Sequence, residues 1–187
     1  MEEKFKTLLQ PGETLLWCGR PAAFETLDKT NKSGILIATA IKVVVMTCLI
    51  GSYVAAAARS ANFNTVILFC LFALTAFVIA MPFLTASHLR KRIVYGLSDR
   101  HILRAGFAEG GVPYKRIKTA ALRTDSDGHT TLLCGPRAMK LPAGRWRANA
   151  DTAFSDDADV DECTGAVLYA LPMDDELEAL LREHLPL

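Results

Sequence analysis

The sequence predicts an α+β membrane protein: a two-helix transmembrane hairpin, then a small bent antiparallel β-sheet capped by a C-terminal α-helix. Three observations predict it. Two apolar runs, at 34–58 and 65–87, stand back to back with one short polar break between them. From Ile93 onward the pattern changes to short alternating stretches punctuated by turn residues. The chain then closes on leucines at helical spacing behind an Asp.

The second run is the stronger membrane signal. Thr65 to Ser87 contains no charged residue. A helix of roughly 20 residues crosses the hydrocarbon core of a bilayer. Its Val, Ile, Leu and Phe residues together favour insertion by roughly 4 to 7 kcal/mol. The first run carries Lys42, which at a bilayer centre costs about 2.5–3.5 kcal/mol. Lys42 lies in the first third of that run, so its stem can snorkel to the headgroups; the sharper alternative is an intramembrane charge with a functional partner. The alternative is two buried helices of a soluble protein; the pairing of two runs, each long enough to span and apolar all round, argues against it. The helices are expected at about 36–58 and 65–86, joined by Arg59-Ser60-Ala61-Asn62-Phe63-Asn64. Lys29 and Lys32 precede the first, and Arg90, Lys91 and Arg92 follow the second, whereas the connection holds only Arg59. That asymmetry places both termini on the cytoplasmic side.

With about 50 residues in the membrane, the 187-residue chain leaves enough for one small domain. A net charge of +1 gives no argument for nucleic-acid binding. Five cysteines include no C-x-x-C pair, so zinc and redox spacings are missing. The first 33 residues are mixed and charged and do not read as a signal peptide.

In chain order, Met1 to Gln10 reads as a short amphipathic turn with Phe5, Leu8 and Leu9 on one side, ended by Pro11-Gly12. Thr14 to Gly19 reads as a strand. Its Trp17 suits either a core position in the domain or a headgroup-level anchor. Residues 1–33 form an N-terminal segment, 34–87 the hairpin, and 88–187 the domain. Pro82 is expected to bend the end of the second helix. His101 to Gly106 alternates as a half-buried strand after the Ser98-Asp99-Arg100 turn. Asp127-Gly128 marks a hairpin tip, with Thr130 to Cys134 as the returning strand. Gly135 to Gly165 reads as a long irregular loop with an acidic cluster, Asp151 to Glu162. Asp157-x-Asp159-x-Asp161 fails as a calcium loop: Glu162 stands where Gly is needed, and Leu168 where the closing Glu should be. Ala166 to Leu171 is a last strand. Asp174 then caps a helix to His184, with Leu177, Leu180, Leu181 and Leu185 facing the sheet.

The stretch Gly12-Glu13-Thr14-Leu15-Leu16-Trp17-Cys18-Gly19-Arg20-Pro21, the exit Arg90-Lys91-Arg92 and the segment Tyr95-Gly96-Leu97-Ser98-Asp99-Arg100-His101-Ile102-Leu103 carry a resemblance. With the final amphipathic helix, they resemble bacterial membrane proteins with a pleckstrin-homology-like domain, of the short type. The resemblance covers most of the chain. It implies a strongly bent antiparallel sheet with one C-terminal helix, a bacterial cell membrane and no enzymatic activity. Fold alone does not give function.

No nucleophile elbow, zincin helix, phosphate-binding loop or dinucleotide fingerprint occurs. No catalytic residue, cofactor or metal ligand is assigned, and no small-molecule substrate is identified. Two functions are expected. The first is a membrane-anchored binding or scaffold protein with a protein partner or a second copy of itself. The second is a sensor of anionic lipid, touching headgroups through Arg90, Lys91, Arg92, Arg100, Lys115, Arg116 and Lys118, with Arg104 on the same sheet. Each such charge near a surface is worth about 1 kcal/mol.

Overall fold

A computed structural model describes residues 2–60, 63–106, 109–152 and 162–187, with 151 and 152 as backbone only. The chain is α+β. Strand β1 (Leu15–Gly19) precedes two long helices, α1 (Lys29–Ser60) and α2 (Thr65–Arg92). Then come β2 (Val94–Ser98), β3 (His101–Ala105), β4 (Gly110–Pro113), β5 (Ala120–Thr124) and β6 (Thr130–Cys134). Helices α3 (Pro136–Met139) and α4 (Ala143–Thr152), strand β7 (Ala166–Leu171) and helix α5 (Asp175–His184) complete it.

Both long helices are long and apolar enough to cross a membrane, and almost none of either apolar window is buried within the molecule. Core helices would be covered on at least one face; these are bare except along their common seam. Asn64 closes the hairpin. Its Oδ1 accepts from the backbone N–H of Val66 at 2.9 Å, and the Tyr53 hydroxyl donates to its carbonyl at 2.8 Å. An Asn in this position satisfies amides that α2 leaves without intrahelical partners. Along the seam Met46 and Ala57 are buried. Lys42 is half-buried, while its neighbours Ile41 and Val43 are exposed, so Lys42 lies on the side of α1 that faces α2. α2 continues through Pro82 to Arg92.

The strands divide into two antiparallel sheets, β1-β2-β3-β4 and β5-β6-β7. One main core joins them. Tyr95, Leu97 and Ile102 from the first sheet, with Ile93 just before it, meet Leu132, Leu133, Val167 and Leu168 from the second, under Leu177 and Leu181 of α5 and Leu185 at its C-cap. The N-cap of α5 is Asp174, whose Oδ1 accepts from the Leu177 N–H at 2.7 Å, as its place before the helix requires. Trp17 packs against this core, the domain reading of that residue. A smaller cluster forms on the other side of the first sheet, where Phe5 covers Val94, Leu103 and Ala105 and draws in Leu8 and Leu9. The N-terminal segment is thus part of the domain, because β1 pairs along β2.

The sequence reading is corrected over 135–152. The expected irregular loop holds two helices there, and α4 packs on α1, α2 and β7. Its inward face is Ala143, Trp146, Arg147 and Ala150, at helical spacing. Two small residues and a cation leave little apolar signal to find. The acidic residues Asp156 to Asp161 lie outside the described residues. Strand β7 is irregular opposite Thr130 and Leu132, and there Ala170 adopts φ 54°, a left-handed conformation uncommon for Ala. Its carbonyl turns out to accept from Ala22 N–H at 2.6 Å, tying the approach to α1 onto the sheet edge.

Candidate functional site: the junction between helices and sheets

The hairpin is built into the domain at its two base ends, the start of α1 and the end of α2. At the start of α1, the carboxylate of Asp127 accepts from the backbone N–H of Lys29 at 3.0 Å and of Thr30 at 2.8 Å. The Thr30 hydroxyl donates to the same carboxylate at 2.6 Å. First turns of helices carry unpaired N–H groups and positive potential, so a carboxylate fits there. The Thr30 side chain and the two amides hold the Asp127 carboxyl down at about 2. Asp127 comes from the β5–β6 hairpin tip, almost 100 residues away along the chain.

That tip is itself braced. Asp125 Oδ1 accepts from the N–H groups of Asp127 and His129, each at 2.9 Å, and the Tyr169 hydroxyl donates to Oδ2 at 3.2 Å. Burial, then the charge of Asp125, pushes the Tyr169 phenol up, so it remains a donor. Phe24 lies beside the tip, edge-on to Tyr169 with ring centroids 5.3 Å apart. Two guanidinium groups, of Arg90 and Arg147, each sit 5.6 Å from the Phe24 ring centroid. Arg90 also donates to the Phe24 carbonyl at 3.1 Å.

Arg147 is the second clamp on α1. It is 6 % exposed, pairs with Asp28 at 3.3 Å, and donates to the carbonyls of Glu25 at 2.9 Å and Thr26 at 2.8 Å. Asp28 in turn accepts from the N–H and side-chain amide of Asn31, both at 2.7 Å. The buried carboxylate is thereby saturated, as buried charges must be. At the far end of α2, Ala86 and Leu89 enter the main core, so the last helical turns belong to the domain as much as to the hairpin.

The candidate headgroup residues do not form one site. Arg90 is turned onto Phe24. Lys91 and Arg92 are exposed at the end of α2, beside a cavity of about 510 Å³ that Met81 and Leu84 also line. Arg100 and Lys115 share a different cavity, also about 510 Å³, with His101, Tyr114 and His184. Tyr114 stacks on His184 at 4.9 Å and 7° and donates to the Ser98 carbonyl at 3.0 Å. Arg116 is half-buried, with its carbonyl bonded to Cys163 N–H at 2.8 Å, and Lys118 is exposed. Arg104 is corrected outright: it is 1 % exposed and donates to the Ala150 carbonyl, so no headgroup reaches it. Asp99 and Arg100 make the local pair expected of their turn, 3.5 Å apart and exposed, of small value.

One polar cluster is concentrated enough to suggest chemistry. Glu13, Ser98 and His101 meet, with His101 Nδ1 2.6 Å from Glu13 Oε1 and the Ser98 hydroxyl donating to the same oxygen. The Ser98 oxygen also accepts from the N–H groups of Arg100 and His101. It thus faces the carboxylate and the turn amides, and the cluster ties the N-terminal segment to the β2–β3 turn. Burial, then the neighbouring Cys163, pushes the Cys134 thiol up, away from nucleophile chemistry. Among the described residues no group of three His, Cys, Asp or Glu could hold a metal ion.

No family model, curated protein or solved structure matches the chain. Function therefore has to be argued from the junction itself.

The residues that sequence reasoning missed are Phe24, Asp28, Asp127 and Arg147. Asp127 read only as a turn residue and Arg147 only as part of a loop. Phe24, which with Leu27 interrupts a mostly polar approach, is the available signal.

Proposed function

We propose that this chain is an integral membrane, non-enzymatic binding protein that presents its β domain on the cytoplasmic face of a bacterial cell membrane for protein–protein interaction. The residues that resemble short membrane proteins with a pleckstrin-homology-like domain support the assignment. So does the sequence of elements, two sheets and a C-terminal helix behind an apolar hairpin. The observation that carries the reading is the double attachment: Asp127 and Arg147 fix the start of α1, and Ala86 and Leu89 fix the end of α2. A domain on a flexible linker samples many orientations, whereas this one holds its outer sheet edges at a set height and angle above the bilayer. Exposed strand edges are ready surfaces for another chain.

Crosslinking in intact cells, followed by purification in mild detergent, tests the reading. A stoichiometric protein partner or a homo-oligomer is expected. A monodisperse monomer with nothing crosslinked to it contradicts it.

A second reading, recognition of anionic lipid surfaces, rests on Lys91 and Arg92, which stand exposed where α2 leaves its apolar stretch. Lipid recognition by the wider set is weakened by the contact of the exposed Arg90 with Phe24 and by the separate cavity that holds Arg100 and Lys115.

A further inference from the structure

We infer that the open cavity lined mainly by α1, α2 and α4 is a binding site for one anionic phospholipid from the leaflet on the domain side. The inference rests on the membrane-spanning reading of α1 and α2. The cavity measures about 580 Å³, the volume range of built ligand sites. Its lower wall is apolar: Ile35 and Ala38 from α1 and Pro82 from α2. Its upper wall is polar: Thr30 from α1, Thr85 from α2 and Arg145 from α4.

This change in lining coincides with a change in the helices. After Ile35 in α1 and before Leu84 in α2, the helices carry only apolar or small residues apart from Lys42, a few hydroxyls and, at the far end of α1, Arg59. On the other side come Lys29, Lys32 and the Arg90–Arg92 collar. The cavity therefore straddles the level at which lipid headgroups meet hydrocarbon. A water-soluble ligand would leave the apolar wall uncovered, and a hydrocarbon would leave Arg145 unused. A molecule with a phosphate at one end and acyl chains at the other satisfies both.

Charge selects among such molecules. Arg145 is exposed at the cavity, and among the described residues no carboxylate pairs with it. A guanidinium binds a phosphate through two parallel hydrogen bonds, which suits a headgroup whose charge no choline or ethanolamine cancels. The wall of α4 is also close to α1. A Cβ at Gly144 would come within 3.3 Å of the Thr30 carbonyl, so backbone meets backbone at this point of the upper rim.

The test uses the full-length protein in a neutral detergent, stripped of lipid and examined by native mass spectrometry. Phosphatidylglycerol or phosphatidylcholine with the same acyl chains is added back. One phosphatidylglycerol per chain is expected, retained about fivefold or more over phosphatidylcholine. Arg145→Glu and the cavity-filling Ala38→Phe should each lower that retention about fivefold. The variant Lys6→Gln, which removes an exposed charge outside the cavity, should leave it unchanged, and glycerol 1-phosphate should not displace the lipid. A melting temperature equal to that of the parent protein confirms that each variant is folded. Equal retention of the two lipids overturns the proposal. Retention unaffected by both cavity variants, equal loss in the Lys6→Gln variant, or displacement by glycerol phosphate does so too. A chain that stays dispersed in buffer without detergent would instead refute the membrane reading beneath it.

Discussion

Asp127 and Thr30 hold the domain to the hairpin: one carboxylate takes the Thr30 N–H at 2.8 Å and the Thr30 hydroxyl at 2.6 Å. Asp127→Ala should leave the sheets folded and open the start of α1. Hydrogen exchange at the amides of Lys29 and Thr30 should accelerate, with little change in β2 or β3. The pH dependence follows from the depressed carboxyl. Its contribution is complete above the ordinary 3.8 and is lost as pH falls through about 2, so the junction should be pH-independent from neutrality down to about pH 4.

Arg147 carries the larger energetic weight. Replacing it with Met leaves Asp28 buried without its cation, and breaking a buried pair costs about 3–5 kcal/mol. The variant should melt well below the parent protein in detergent. Asp28→Asn together with Arg147→Met should recover part of the loss, because the uncompensated charge goes with it.

Glu13 governs a third attachment. Burial works to raise its carboxyl, but hydrogen bonds from the Ser98 hydroxyl, the Gln10 N–H and the His101 ring outweigh it and hold the group below its usual 4.5. A lowered carboxyl stabilises fully above pH 4.5, and that contribution disappears as pH falls through the lower folded value. Glu13→Ala should expose residues 2–19 to limited proteolysis at neutral pH while the main core stays protected. The parent protein should show the same cleavage only on acidification.

Gly135 has no tolerated substitute. Its φ is +85°, and a Cβ there would lie 2.2 Å from the Cys163 carbonyl. Gly135→Ala should cost at least about 1–3 kcal/mol from the backbone alone. Gly128, also at positive φ but with nothing near it, should lose less on the same change. Thermal melts of the two variants separate these cases.

The hairpin and most strands were legible because their signals are local. Thr65–Ser87 needs only composition, and the cap Asp174 only its place before a leucine-spaced helix; the strand His101–Ala105 was legible as a strand, but it is buried on both faces rather than half-buried, because Phe5 covers the second face. The junction was not legible, for a physical reason. Asp127 meets Lys29 across a sequence gap that no periodicity spans. Helix α4 hides because its buried face is Ala143, Trp146, Arg147 and Ala150, where an ion-paired cation takes the place of a hydrophobe. Burial also reversed the meaning of Arg104, which reads as surface charge yet bonds the Ala150 carbonyl inside the domain, whereas Arg90 stays exposed with its guanidinium over Phe24.

The most direct measurement fuses a topology reporter to the chain after Asn64 and, separately, after Leu187. The account predicts that the Leu187 fusion reports the cytoplasmic side and the Asn64 fusion the opposite face. Both fusions on one face, or an unfused chain that remains soluble after membranes are removed, would contradict it.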